Sequence, residues 1–420
     1  MVIWEHDHPY RRSSRDFAPY SNSTLAFCKA LPKVELNAHL NGTVRDSTIK
    51  ELAGALMLNG KPMSLARLVH LTQQTSPSIG ECFQLFDILH SLTTDHDALR
   101  RIAREALEDF AADNVVYAEL RTTPKCRPDR GITKESYMEA VLAGVDDYFA
   151  SSNAEDITVR LLLSIGRGQS QQEMLDTVQL ALRLRDRGVV GVDLTGNPTA
   201  GEWEDWQEAL DLARDNGLKV TLEAGEMLNP EETRAMLDWG PDRLGHCCCL
   251  TPELQRLLLS SGIPLEVCLT SNVVTRSVLN LKEHEFATLY KRGHPVVLCT
   301  ADSGILNTSL SREYAIAAYA FGLTDRQLLR LAMEALDFSF LDDIERISVQ
   351  QRMQTVLACA GLEYSTAAEV DRSDRGSMSL PQELSTVEEE VKSRQRVSVG
   401  GERGLGRRRS WSMFGRPSSG

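Results

Sequence analysis

Long apolar runs are missing from this 420-residue sequence. No stretch reaches the roughly 18 to 20 consecutive apolar residues that a membrane-spanning helix needs, so no helix is expected to cross a bilayer. The opening Met-Val-Ile-Trp gives way at once to charged and polar residues, without the apolar stretch of a signal peptide. Paired cysteine motifs are also missing. The nine cysteines are scattered except for the run Cys247-Cys248-Cys249. No C-x-x-C pair with a matching second pair occurs, which argues against a cysteine zinc site and against a disulfide framework. Reduced thiols point to the cytoplasm, and the triple run reads as small buried side chains at a strand end. Positive charge is in deficit, with 46 Lys and Arg against 59 Asp and Glu and a net charge of −13. That balance argues against general nucleic-acid binding. It leaves room for one small anionic ligand in a locally positive pocket.

What is present belongs to an ordinary soluble globular protein, with 42% hydrophobic and 25% charged residues. Residues 1–24 are polar and are expected to be loosely ordered. From residue 366 to 420 the chain turns Arg-, Ser- and Gly-rich, a composition that cannot bury a core and reads as disordered. Residues 388–392 could form a short acidic helix in this tail, and the basic run 407–409 precedes Ser410. Residues 25–365 alternate between short β-branched runs and amphipathic stretches. The runs are 33–37, 114–121, 157–164, 188–195, 218–223, 242–246, 263–270 and 295–301. Most read as near-continuous apolar strands, as in Val296-Val297-Leu298-Cys299, which fits a parallel sheet covered on both faces. Helices are expected over 172–187 and 325–341. Eight such units close most naturally into a (β/α)8 TIM barrel. An open doubly wound sheet is the runner-up, but no G-x-G-x-x-G follows the first run to support it.

In such a barrel the chemistry sits at the C-terminal strand ends. Here those ends collect polar and ionisable residues: Asn37, His39 and Asn41 on the first strand, Thr122 to Lys125 on the second, and Gly196 on the fourth. Glu223 and Glu226 end the fifth, His246 the sixth, Ser271 and Asn272 the seventh, and Asp302 the eighth. Any one has a plainer explanation. A lone His39 is more often a hydrogen-bonded, partly buried group, and Asp302 alone could cap a helix. Seven coinciding strand ends make the plain reading the weaker one.

The phrases Leu31-Pro32-Lys33-Val34-Glu35-Leu36 and Ala38-His39-Leu40-Asn41-Gly42 resemble the opening of adenosine deaminase-like proteins. Glu223-Ala224-Gly225-Glu226, Arg243-Leu244-Gly245-His246, Leu269-Thr270-Ser271-Asn272 and Thr300-Ala301-Asp302 follow in the family's order, so the resemblance runs over residues 28–362. Asn41 and the segment 81–90 resemble the N6-methyl-AMP deaminase branch. The resemblance implies zinc-dependent hydrolytic deamination at C6 of a purine 5′-monophosphate, in a monomer. It implies Glu226 as the proton-transfer acid and His246 as the residue that steadies or deprotonates the attacking water. It places Asn41, His90, Thr122, Thr123, Pro124, Lys125, Gly196 and Asp302 at substrate-binding positions, with Lys125 facing the phosphate.

The four positions that the resemblance assigns to zinc read Asn37, His39, Glu223 and Ala301 here, where the family has His, His, His and Asp. Only His39 is unchanged. Asn offers a neutral, weak oxygen, Glu has a different reach from imidazole, and Ala offers no donor atom. Weak or absent zinc binding and little deaminase activity are expected. A non-catalytic purine nucleotide-binding pseudoenzyme or regulator is the alternative, and a harder divalent ion on Glu223, Glu226 and Asn37 is a further one. A scaffold acting through the basic tail is a third reading. Deleting the residues after 366 is expected to leave nucleotide affinity unchanged in a titration. A weakened variant would give the tail a role in binding.

Overall fold

The computed structural model describes residues 18–55, 57–58, 61–62, 90, 92–93, 95–151, 157–362 and 364. Residues 1–17, the segment 83–89 and the whole tail from 366, with its acidic and basic runs, lie outside the described residues. Eight strands form one sheet: β1 (Lys33–His39), β2 (Val115–Thr122), β3 (Thr158–Gly166), β4 (Val189–Thr195), β5 (Lys219–Ala224), β6 (Arg243–His246), β7 (Leu265–Val267) and β8 (Val296–Leu298). They pair in parallel and in chain order. The sheet closes on itself through a parallel bridge between Ala38 and Ala301. Two hydrogen bonds make it, from the Ala301 amide to the Asn37 carbonyl and from the His39 amide to the Ala301 carbonyl, each 2.8 Å. Helices such as Lys134–Ala150, Gln171–Arg183, Trp203–Asp215 and Pro230–Trp239 connect successive strands. This is the (β/α)8 barrel that the alternating sequence predicts. A two-residue antiparallel pair, Met57–Leu58 with Lys61–Pro62, stands apart from it.

Strand periodicity decides what each face carries. On β1, Val34, Leu36 and Ala38 are wholly buried and belong to the continuous hydrophobic core. Each fully buried aliphatic side chain of Val or Leu size contributes roughly 1.5–3 kcal/mol. The alternate residues Glu35, Asn37 and His39 take the opposite face. The near-continuous apolar reading of the strands did not anticipate that this face carries buried charge on the other strands as well. Glu119 and Arg121 on β2, Asp193 on β4, Arg243 on β6 and Glu266 on β7 are all almost completely buried.

These charges neutralise one another in the interior. Glu266 accepts from Arg121 at 2.8 Å, Arg243 at 2.7 Å, Thr221 at 2.9 Å and the Asn37 amide at 3.1 Å. Arg243 also reaches Glu119 at 2.5 Å, and Arg121 lies 3.6 Å from Asp193. Despite its burial, Glu266 is held below the usual carboxylate range by the two guanidinium groups.

Local signals set the element ends. Ser170 and Glu173 form a reciprocal capping box at the start of Gln171–Arg183. Several boundaries depart from the sequence expectation. Ser21 caps a helix at Asn22–Ala30 by accepting from the Thr24 amide at 3.0 Å, so order begins within the stretch expected to be loose. The helix expected over 172–187 ends at Arg183 and tightens into a 3-10 turn, Arg185–Arg187, before Gly188 at φ 92°. The helix expected over 325–341 is likewise Asp325–Glu334 followed by a 3-10 turn, Ala335–Phe338. The seventh run is strand only over Leu265–Val267, because Leu269–Val274 coils into a short helix that lifts Ser271 and Asn272 over the strand end.

Glu266 is the common partner of both buried arginines. Glu266→Ala is therefore expected to lower stability by roughly 3–5 kcal/mol, the cost of leaving buried charges uncompensated. Urea unfolding measures it, and a change below about 1 kcal/mol would show that the arginines find other partners.

Candidate active site

The C-terminal strand ends enclose a cavity of about 480 Å³. Of the residues singled out in the sequence, His39, Asn41, His90, Thr122, Thr123, Pro124, Lys125, Gly196, Glu223, Glu226, His246, Ser271, Ala301 and Asp302 line it. Asn37 does not. It lies buried one alternate residue below His39 and donates to Glu266. The cavity wall also holds Arg127 and Lys134, which add to the cationic side chain of Lys125.

Glu223 organises the floor. One oxygen accepts from His39 Nε2 at 3.0 Å and the other from the Thr195 hydroxyl at 2.5 Å. Its backbone carbonyl is pinned at 2.8 Å by Arg167, which is itself held in a two-pronged pair with Glu232 at 2.9 Å. Burial opposes charge on both members of the His39–Glu223 pair. Their mutual attraction outweighs it, lifting His39 to about 9 and drawing Glu223 well below the usual carboxylate range.

Glu226 lies in the opposite regime. Burial and the nearby negative charge of Glu223 raise its carboxyl above the usual range, against the pull of His246. Burial likewise raises Asp302. The Asp302 carboxylate presses against the backbone of Gly42, where an added Cβ would come within 1.8 Å of it. Only glycine leaves that space. Further round the wall, Lys125 donates to His90 Nδ1 at 2.8 Å. Burial and that neighbouring charge hold His90 neutral, with its pKa down at about 3. Asn41 is engaged with the protein: its Nδ2 donates to Thr93 at 2.7 Å and its carbonyl accepts from Tyr137 at 3.1 Å.

The donor atoms at the four expected metal positions do not fit a four-coordinate zinc. A zinc-bound imidazole must present a lone pair, yet His39 Nε2 donates its proton to a carboxylate. Asn37 turns its amide nitrogen to Glu266, and its oxygen is buried without a hydrogen-bond partner. Ala301 contributes a methyl group. Its backbone, at φ 56°, occupies the left-handed region that Asp and Asn adopt more readily than Ala. Among the described residues a different trio, Glu223, Glu226 and His246, brings its ligand atoms within 4.8 Å of one another.

Several of these groups escaped the sequence reading. Arg167 follows an apolar strand, and nothing in its spacing marks it, whereas Thr195 closes the fourth strand beside Gly196. Arg121 immediately precedes the second strand end, but its partner Glu266 sits in a run read as plain core.

Comparison with known proteins agrees with the fold. The adenosine deaminase family model matches residues 32–356. The N6-mAMP deaminase of Arabidopsis thaliana is 46% identical over 359 residues, covering 81% of this chain and all of that protein. A crystal structure of the Arabidopsis protein complexed with GMP is 45% identical with a TM-score of 0.74, over 79% of this chain and 98% of that one. An amidohydrolase from Burkholderia ambifaria with bound Zn is 25% identical with a TM-score of 0.70, over 84% and 99%.

The His39–Glu223 pair carries a pH signature. His39 holds its proton up to about pH 9 in the folded chain, against 6.5 ordinarily. Its stabilisation, on the order of 3 kcal/mol, is complete below pH 6.5 and is lost as the pH rises through about 9. The unfolding midpoint is expected to fall over that window, and Glu223→Gln should remove most of the fall. An unchanged slope in the variant would show that the pair is not ionised.

Proposed function

Because this chain belongs to the adenosine deaminase family, we propose that its barrel binds purine 5′-monophosphates of the N6-methyl-AMP class while its hydrolytic chemistry is impaired. The observation that carries this reading is the His39–Glu223 hydrogen bond beside the methyl group of Ala301. Side chains that would face a metal ion instead satisfy one another or offer no donor. In the family, zinc supplies an activated water when bound. The residues here do not assemble that site, so no step of the reaction is assigned to it.

The rest of the cavity supports ligand recognition. Burial raises the Glu226 carboxyl, and in its protonated form it can donate a hydrogen bond to a purine ring nitrogen. Asp302, held against Gly42, suits a donor on the five-membered ring. Lys125, braced by His90, and the hydroxyls of Thr122 and Thr123 suit a phosphate, which charge-assisted hydrogen bonds favour. The GMP found in the Arabidopsis relative has the same chemical class. A non-catalytic binder or regulator is the limiting form of the same reading.

Three measurements test it on the full chain. Elemental mass spectrometry is expected to find well under one zinc per chain. Titration with IMP or GMP should show binding without added metal. Incubation with N6-methyl-AMP should release little methylamine, while Asn37→His, Glu223→His and Ala301→Asp together should raise turnover at least about 10²-fold, the rate equivalent of ~3 kcal/mol. Stoichiometric zinc with metal-dependent turnover in the unaltered protein would overturn the impairment. Failure to bind any purine monophosphate would overturn the ligand class.

A further inference from the structure

A line of hydrogen bonds runs into the cavity from behind its wall, and its direction is fixed at the far end. The backbone amide of Phe286 donates to His284 Nδ1 at 3.0 Å. A backbone N–H can only donate, so His284 Nδ1 is the acceptor. His284 is buried, and with Nδ1 accepting it is neutral, its pKa pushed down to about 3 chiefly by that burial. A neutral imidazole carries one proton, and it must then lie on Nε2. His284 Nε2 stands 3.0 Å from Asn272 Oδ1, which accepts it. The other end of the same amide, Nδ2, stands 3.0 Å from His246 Nδ1. An amide nitrogen donates, so His246 Nδ1 is an acceptor and the ring proton sits on Nε2. Against burial, Glu226 and Glu223 draw the ring toward a second proton, with a pKa of about 9, but a proton on Nδ1 would point at the Asn272 amide protons, and the geometry keeps that nitrogen bare. His246 Nε2 faces Glu223 at 3.5 Å and Glu226 at 3.9 Å, both of which can accept.

We propose that His284, acting through Asn272, is a positioning residue that fixes His246 as a hydrogen-bond donor toward the cavity. The relay joins three barrel units. His246 ends β6, Asn272 rides the short helix Leu269–Val274 after β7, and His284 lies in the connection before Phe286–Lys291. All three side chains are nearly or wholly buried, so water does not compete for the bonds.

Two consequences follow for the site. With its proton on Nε2, His246 can steady an oxygen in the cavity by donating to it. It cannot remove a proton from that oxygen through the same nitrogen. Nor can that nitrogen ligate a metal ion, although His246, Glu223 and Glu226 lie close together. For Nε2 to become an acceptor, the proton must move to Nδ1. Asn272 must then turn its oxygen to His246 and its nitrogen to His284. The His284 ring would then face two donors, and its one N–H would have no acceptor. The role as donor to a ligand rests on the nucleotide-binding reading above, whereas the proton's location does not.

Nitrogen NMR of the full protein with ¹⁵N-labelled histidine, without nucleotide or metal, reads the proton directly. A protonated Nε2 and a bare Nδ1 on both His246 and His284 are expected. Because the unaltered protein is measured, the result does not depend on a variant folding. His284→Gln keeps an acceptor and a donor in line and is expected to keep the His246 tautomer. His284→Leu removes both and is expected to turn one tautomer into a mixture. A His246 proton on Nδ1, or a bare Nε2 in the unaltered protein, would overturn the inference. A correct tautomer in a protein that binds no purine monophosphate would leave the relay standing and remove the ligand reading instead.

Discussion

A carboxylate buried inside a barrel must be matched by a positive charge or take up a proton. In this protein the arrangement of the whole cavity follows from how Glu223 meets that demand. It takes its counter-charge from His39 and a further hydrogen bond from Thr195, while Arg167 fixes its carbonyl. Burial raises Glu226, and the ionised Glu223 nearby pushes it the same way. Below them the same rule repeats, with Glu266 between Arg121 and Arg243. Charge alternates in sign from the middle of the barrel to the cavity floor.

This ordering gives the His39–Glu223 pair an unusual position. A salt bridge occupies ground that the family resemblance assigns to a metal ion. Both arrangements balance the negative charge of the site, one with a proton and the other with a dication. The fold is served by either. On the impaired reading proposed above the chemistry is not, because a proton shared between two side chains offers no coordination position for a water molecule.

Much of this was legible in the sequence, because β-strands impose a period of two. Glu35, Asn37 and His39 alternate with Val34, Leu36 and Ala38, and the strand-end phrases placed thirteen of the singled-out residues on one cavity. Other parts were hidden for physical reasons. Glu266 lies in a short apolar run, and nothing local shows that its face meets two arginines from other strands. His284 follows a 3-10 turn in a loop and reaches His246 only through Asn272. A relay of that kind is a property of three segments meeting in space. The ends of the 172–187 and 325–341 helices were misjudged because 3-10 turns continue the helical pattern while changing its pitch.

The bridge between Ala38 and Ala301 gives the ligand positions a second duty. The backbone atoms of Asn37, His39 and Ala301 fasten the last strand end to the first, and that fastening uses no side chain. Two demands therefore fall on the same three positions, one mechanical and met by the main chain, the other chemical and met by what projects from it. Substitution separates them. The ring stays shut, and the left-handed turn at Ala301 keeps the outline of a socket whatever the side chain offers. Shape alone is then a poor witness to activity in such a barrel: a silent copy and a working one have the same silhouette.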